Sequence, residues 1–252
     1  MSDRHRPDQD RPDQDRPEQR RLELADRLAE VWARIEAACV AAGRSRDEIT
    51  LIAVTKTWPA SDVRLLYELG QRDFGENRDQ EAAPKAEACA DLGDLVWHFI
   101  GQLQTNKVAS VARYADVIHS VDRLRLIHAL GRAAQGRTRP VTALIQVSLE
   151  GPDGDPGRGG TALGDVTGLA QAIVAEDRLR LGGVMAVAPL GVPAAGAFAG
   201  LAAATAAVRA VQPAATMISA GMSGDLEAAV KSGATHLRIG TALLGDRKPR
   251  VM

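Results

Sequence analysis

Five lysines stand against 26 arginines in this chain, and one of the five, Lys56, closes the apolar run Leu51-Ile52-Ala53-Val54-Thr55. An ammonium held at a strand end between protein walls loses hydration. Its pKa falls, and the neutral amine becomes a nucleophile toward carbonyl compounds. Position alone does not separate this from a lysine whose head group reaches water. Two other stretches have the composition of an oxyanion site: Ser219-Ala220-Gly221-Met222-Ser223-Gly224-Asp225 and Arg238-Ile239-Gly240-Thr241. Small residues let backbone N–H groups approach an anion, and a helix start adds partial positive charge. The same glycines equally suit tight turns. Asp225 would repel a phosphate and is assigned to capping the helix that follows.

A Schiff-base lysine and a phosphate cradle together specify a phosphorylated carbonyl ligand. Pyridoxal 5′-phosphate meets that description, and so does a sugar phosphate in a class I aldolase. Arg238 favours the first. A guanidinium only donates, so facing a pyridine nitrogen it keeps that nitrogen unprotonated and the ring a weak electron sink.

These groups become neighbours only if the intervening elements close on themselves. Short apolar runs at Thr50–Thr55, Asp73–Gly75, Leu95–Ile100, Asp116–Ser120, Val141–Leu149, Leu181–Val187, Ala215–Ser219 and Thr235–Ile239 alternate with helical stretches. Those stretches lie near 60–69, 76–90, 105–114, 122–134, 164–177, 194–211 and 223–231. Eight βα repeats predict a single α/β domain, a (β/α)8 TIM-type barrel, with functional groups at the carboxyl ends of its strands. A doubly wound open sheet is the alternative, weakened because no GxGxxG opens the first βα unit. The Asp73–Gly75 run is the shortest of the eight. An extra helix precedes the barrel over 22–42, with Leu24, Leu28, Val31, Trp32 and Ile35 at helical spacing and Gly43 as its C-cap.

Residues 1–20 read differently. Arg6-Pro7-Asp8-Gln9-Asp10 recurs as Arg11-Pro12-Asp13-Gln14-Asp15 and Arg16-Pro17-Glu18-Gln19, without an apolar residue. Such a segment buries too little to offset its ordering entropy, so a disordered tail is expected before a barrel over 21–252. Glu150–Gly160 is turn chemistry throughout and predicts a mobile loop over the fifth strand end. A net charge of −1 and 3% aromatics leave little for nucleic acid or anionic lipid to bind. With two separated cysteines, Cys39 and Cys89, neither a disulfide framework nor a structural zinc site is expected, and no apolar stretch is long enough for a membrane span. A cytoplasmic chain is expected.

At this point the motifs resemble those of the pyridoxal phosphate homeostasis proteins of the YggS type. The matching segments are Ala53-Val54-Thr55-Lys56-Thr57, Phe74-Gly75-Glu76-Asn77 with Gln80-Glu81, and Trp97-His98-Phe99-Ile100-Gly101 with Leu103-Gln104 and Asn106-Lys107. Ser219 with Gly221-Met222-Ser223 and then Arg238-Ile239-Gly240-Thr241 complete the series. The resemblance implies a barrel like the alanine racemase N-terminal domain, with pyridoxal 5′-phosphate on Lys56. It implies Asn77 reaching the cofactor, Arg238 near the pyridine nitrogen, and Ser219, Gly221, Met222, Ser223, Gly240 and Thr241 around the phosphate. His98 matches a family histidine and is expected to pack or support rather than catalyse. Implied partners are the cofactor and the apoenzymes that use it, and a monomer is sufficient.

Three departures stand out. Arg78 replaces an aromatic common after Glu-Asn, Arg158 replaces a lysine common in the fifth loop, and Leu244-Gly245 replaces phenylalanine-glycine. Arginine forms no Schiff base at neutral pH, which puts any transfer role of that loop in doubt. Two functional classes then compete. A non-catalytic carrier needs only the lysine and the cradle, whereas a racemase needs a second proton donor, commonly tyrosine. Tyr67 and Tyr114 are the only tyrosines, both in helical stretches, and the sequence ends at Met252, just after the eighth repeat. The carrier is therefore expected, with the racemase and the aldolase as alternatives.

Overall fold

The computed structural model describes residues 15–149, 159–188 and 198–246. Eight strands form a closed barrel in sequence order: β1 (Thr50–Val54), β2 (Asp73–Glu76), β3 (Val96–Phe99), β4 (Val117–Val121), β5 (Val141–Gln146), β6 (Leu179–Met185), β7 (Met217–Ser219) and β8 (His236–Ile239). Every neighbouring pair is parallel, and β1 pairs with β8, with Ile52 opposite Arg238. That closure excludes the open sheet. The short β2 is a full member, bonded to β1 on one side and β3 on the other.

Around the barrel run α1 (Asp15–Ala41), α2 (Ala60–Glu68), α3 (Asp79–Ala88), α4 (Val108–Tyr114), α5 (Leu124–Ala133), α6 (Val166–Val174), α7 (Ala199–Val211), α8 (Leu226–Lys231) and α9 (Thr241–Leu244). Parallel strands sandwiched between helices and a lumen are buried on both faces, which is why they read as continuous apolar runs. Leu51, Ala53, Phe74, Phe99, Ile118, Leu181, Leu237 and Ile239 belong to the main core shared with the helices. Val117, Leu144 and Met185 form a separate apolar cluster.

The first helix begins at Asp15, so the boundary expected at residue 20 moves. Arg20 explains the extension: it bonds Asp62 Oδ2 at 2.8 Å and the carbonyl of Leu244 at 3.1 Å, and its guanidinium lies 4.7 Å from the Trp58 ring centroid. Residues 1–14 of the expected tail and 150–158 of the expected loop, Arg158 included, lie outside the described residues. Gly43 ends α1's turn with φ +65, as its C-cap reading requires.

Candidate functional site

Lys56 stands two residues after the end of β1 and is half-buried at the carboxyl end of the barrel. Its turn is held from both sides. Thr55 Oγ1 donates to Glu76 Oε1 at 2.7 Å, and Lys85 Nζ, from α3, donates to the Thr55 carbonyl at 2.8 Å while pairing with Glu76. On the other side of Lys56, the Thr57 N–H donates to Glu81 Oε2 at 3.0 Å. Thr57 has φ +71, a left-handed conformation that a β-branched residue adopts only when its surroundings impose it. Glu76 is fully buried, and burial raises its pKa against the opposing pull of Lys85 and Thr55.

The two small-residue turns follow β7 and β8, and β8 pairs with β1. Gly240 faces β1 so closely that a Cβ there would sit 3.5 Å from Val54, two residues before Lys56. Gly221 has φ +94, and a Cβ would come within 2.6 Å of the Ala229 side chain and 2.8 Å of Leu237. Its need for glycine is therefore set by packing behind the turn. The turns are joined where Ser223 Oγ accepts the Ala242 N–H at 3.4 Å. Asp225 stands at the N-cap position of α8, but its carboxylate accepts the Met222 N–H at 2.6 Å and caps no helix N–H. It braces the turn rather than the helix. From outside, Arg34 of α1 donates to the Ser223 carbonyl at 2.7 Å and grips Glu227 with two bonds. Met222 and Thr241 are exposed at this mouth.

Arg238 is buried in the lumen, with Nη1 donating to Ser219 Oγ at 2.6 Å and Nη2 to the Ala186 carbonyl at 2.9 Å. Burial lowers its pKa to about 10, so it stays charged at neutral pH. Ser219 Oγ is itself taken up, by Arg238 and by His119 Nδ1 at 2.9 Å. Its hydroxyl faces the lumen arginine. His98 is buried on β3, bonded to Asp73 and His119, and supports rather than lines the mouth. Asn77 follows β2 and is half-buried, fixed by Gly101, where a Cβ would fall 2.1 Å from the Asn77 carbonyl oxygen. Arg78 is exposed and pairs with Glu81 at 3.6 Å.

The barrel thus places Lys56, Asn77 and the two glycine turns after the carboxyl ends of β1, β2, β7 and β8, with Arg238 buried in the lumen. Residues given no role in the sequence reading are His119, Asp73, Lys85 and Arg34. His119 had a signal: it alternates with Ile118 and Ser120 on a strand, which points it into the lumen.

Comparison with known proteins bears on the same segments. The family model for the alanine racemase N-terminal domain matches residues 26–248. A pyridoxal phosphate homeostasis protein of Mycobacterium tuberculosis is 44% identical over 246 residues, covering 90% of this chain and 94% of its own. The chain belongs to the pyridoxal phosphate homeostasis protein family. The Escherichia coli protein of that name is 40% identical over 237 residues, covering 89% of this chain and 97% of its own. PipY of Synechococcus elongatus, solved with PLP bound, superposes with a TM-score of 0.76 at 36% identity, covering 88% of this chain and all of PipY. An alanine racemase from Corynebacterium glutamicum gives 0.65 at 15% identity over 91% of this chain and 62% of its own, a likeness of fold alone. Among the described residues no helix is long and apolar enough to cross a membrane.

Proposed function

We propose that this chain binds pyridoxal 5′-phosphate covalently through Lys56, and carries and buffers it as a monomer in the cytoplasm without a reaction of its own. The observation that carries this reading is the packing of the Gly240 turn on Val54, two residues before Lys56, with Arg238 paired opposite Ile52 of the same strand. A family member whose structure holds the cofactor, PipY, supports it.

The donor set fits the group. Lys56 would supply the amine, the Gly221–Ser223 and Gly240–Thr241 backbones would hold the phosphate, and Asn77 and Arg238 would address the ring. Bound there, pyridoxal phosphate supplies a conjugated electron-withdrawing ring. Arg238, charged and donor-only, keeps its nitrogen unprotonated and that withdrawal weak. Held in this way, a reactive aldehyde is kept from other amines until an apoenzyme takes it. The two thiols are free and buried, in keeping with a reducing compartment.

Absence of catalysis is read from the proton donors. Tyr67 on α2 bonds Asp94 and Tyr114 on α4 lies on the helical layer, so neither reaches the lumen mouth. The test is titration of purified protein with pyridoxal phosphate, followed by incubation with D- and L-amino acids. A yellow protein that interconverts none of them agrees with the carrier. Racemisation at enzymatic rates overturns it, and failure to take up the cofactor returns Lys56 to the aldolase reading.

A further inference from the structure

A line of side-chain hydrogen bonds runs through the barrel beneath the mouth. Asp73 Oδ1 lies 2.9 Å from His98 Nε2, His98 Nδ1 lies 2.9 Å from His119 Nε2, and His119 Nδ1 lies 2.9 Å from Ser219 Oγ, which accepts from Arg238. The groups come from β2, β3, β4, β7 and β8, and the His119–Ser219 bond joins strands that are not neighbours. His98, His119, Ser219 and Arg238 are buried, whereas the Asp73 side chain keeps about a quarter of its exposure at the start of β2. The line therefore joins the face opposite the mouth to the arginine beneath the mouth.

Its direction is set by chemistry. Arginine has no acceptor, so Arg238 donates to Ser219. The Ser219 hydroxyl has no third partner among the described residues, so its hydrogen goes to His119 Nδ1. Burial, reinforced by His98, Arg238 and His236, holds the His119 pKa well below its ordinary value and the ring neutral. Its proton is then on Nε2 and is donated to His98 Nδ1. His98 in turn carries its hydrogen on Nε2 and donates to the Asp73 carboxylate. Every donor points the same way, from the guanidinium to the carboxylate, an arrangement in which each bond strengthens the next.

We infer that Asp73, His98, His119 and Ser219 are positioning residues for Arg238, a single polarised line through which the Asp73 carboxylate orients the guanidinium. Arg238, buried with no carboxylate in contact among the described residues, has two of its five N–H groups fixed by Ser219 and Ala186, and Ser219 is itself oriented by the line. The consequence for ligand binding rests on the pyridoxal phosphate reading; the line itself does not.

The test is a double-mutant cycle between Asp73→Asn and Ser219→Ala, read in two ways. In ligand-free protein, 15N NMR should show both His98 and His119 as neutral Nε2–H tautomers. Asp73→Asn should move the Arg238 side-chain signal in the wild-type background and leave it unmoved once Ser219→Ala has cut the line. With pyridoxal phosphate, Asp73→Asn should weaken binding by roughly fivefold, the size of one net hydrogen bond, and add nothing to Ser219→Ala. Opposite tautomers, an Arg238 signal indifferent to Asp73, or additive effects overturn the inference. If the wild type takes up no pyridoxal phosphate, the cofactor reading fails while the ligand-free spectra still decide the line.

Discussion

Lys85 Nζ lies 2.8 Å from the carbonyl oxygen of Thr55, the residue before Lys56. The same ammonium pairs with Glu76, whose other carboxylate oxygen has no hydrogen-bond partner. Helix α3 thus reaches over to hold the backbone on which Lys56 is mounted. A buried pair is worth little against an apolar replacement, but breaking it strands a charge.

Lys85→Met is therefore expected to cost about 3–5 kcal/mol in urea unfolding, because it leaves Glu76 uncompensated. Lys85→Met combined with Glu76→Gln should recover a large part of that loss. Both variants should take up pyridoxal phosphate more slowly than wild type, since the Thr55 carbonyl is released in each.

Gly221→Ala tests the turn after β7. The new methyl must displace Ala229 and Leu237 and sit at φ +94. A loss of about 3 kcal/mol is expected from overpacking and backbone strain together. Equilibrium denaturation measures it, and a loss below about 1 kcal/mol would contradict the packing described behind this turn.

His236 carries a pH dependence of defined sign. Burial first, then nearby His98 and Arg238, push its pKa down to about 4 from 6.5. The unfolded chain then binds more protons between those values, so stability is lost as pH falls from 6.5 toward 4. From pH 7 to pH 5 this one group removes about 2 kcal/mol. His236→Asn should shrink the wild-type stability drop over that interval by a similar amount. The buried, neutral His119 acts in the same direction and should remain in the variant.

The barrel was legible because each parallel strand is buried on both faces, so its apolar run is short, continuous and bounded. Even β2 could be placed, although only Asp73–Glu76 forms it. Lys56, Arg238 and the two glycine turns were singled out because chemistry in such a barrel collects at strand ends. The line from Asp73 to Arg238 was not, because it depends on inward-facing residues of five strands meeting across a closed lumen. Periodicity shows that His119 faces inward but not that Ser219, 100 residues away, is its partner. The same limit applies to Arg34 and Ser223, and to Asp225, whose helix-start position pointed to a cap while its carboxylate holds Met222. The start of α1 was placed too late because the charge-rich repeat runs into the helix, and the contacts of Arg20 with Asp62, Leu244 and Trp58 that hold its first turns join residues far apart in sequence.

The central claim is the covalent hold of Lys56 on pyridoxal phosphate. Borohydride reduction of the loaded protein, followed by proteolysis and mass mapping, tests it most directly. The expected result is one phosphopyridoxyl group on Lys56 and none at any single site in Lys56→Ala. A stoichiometric adduct on another lysine, or an unlabelled Lys56 in protein saturated with the cofactor, would contradict it.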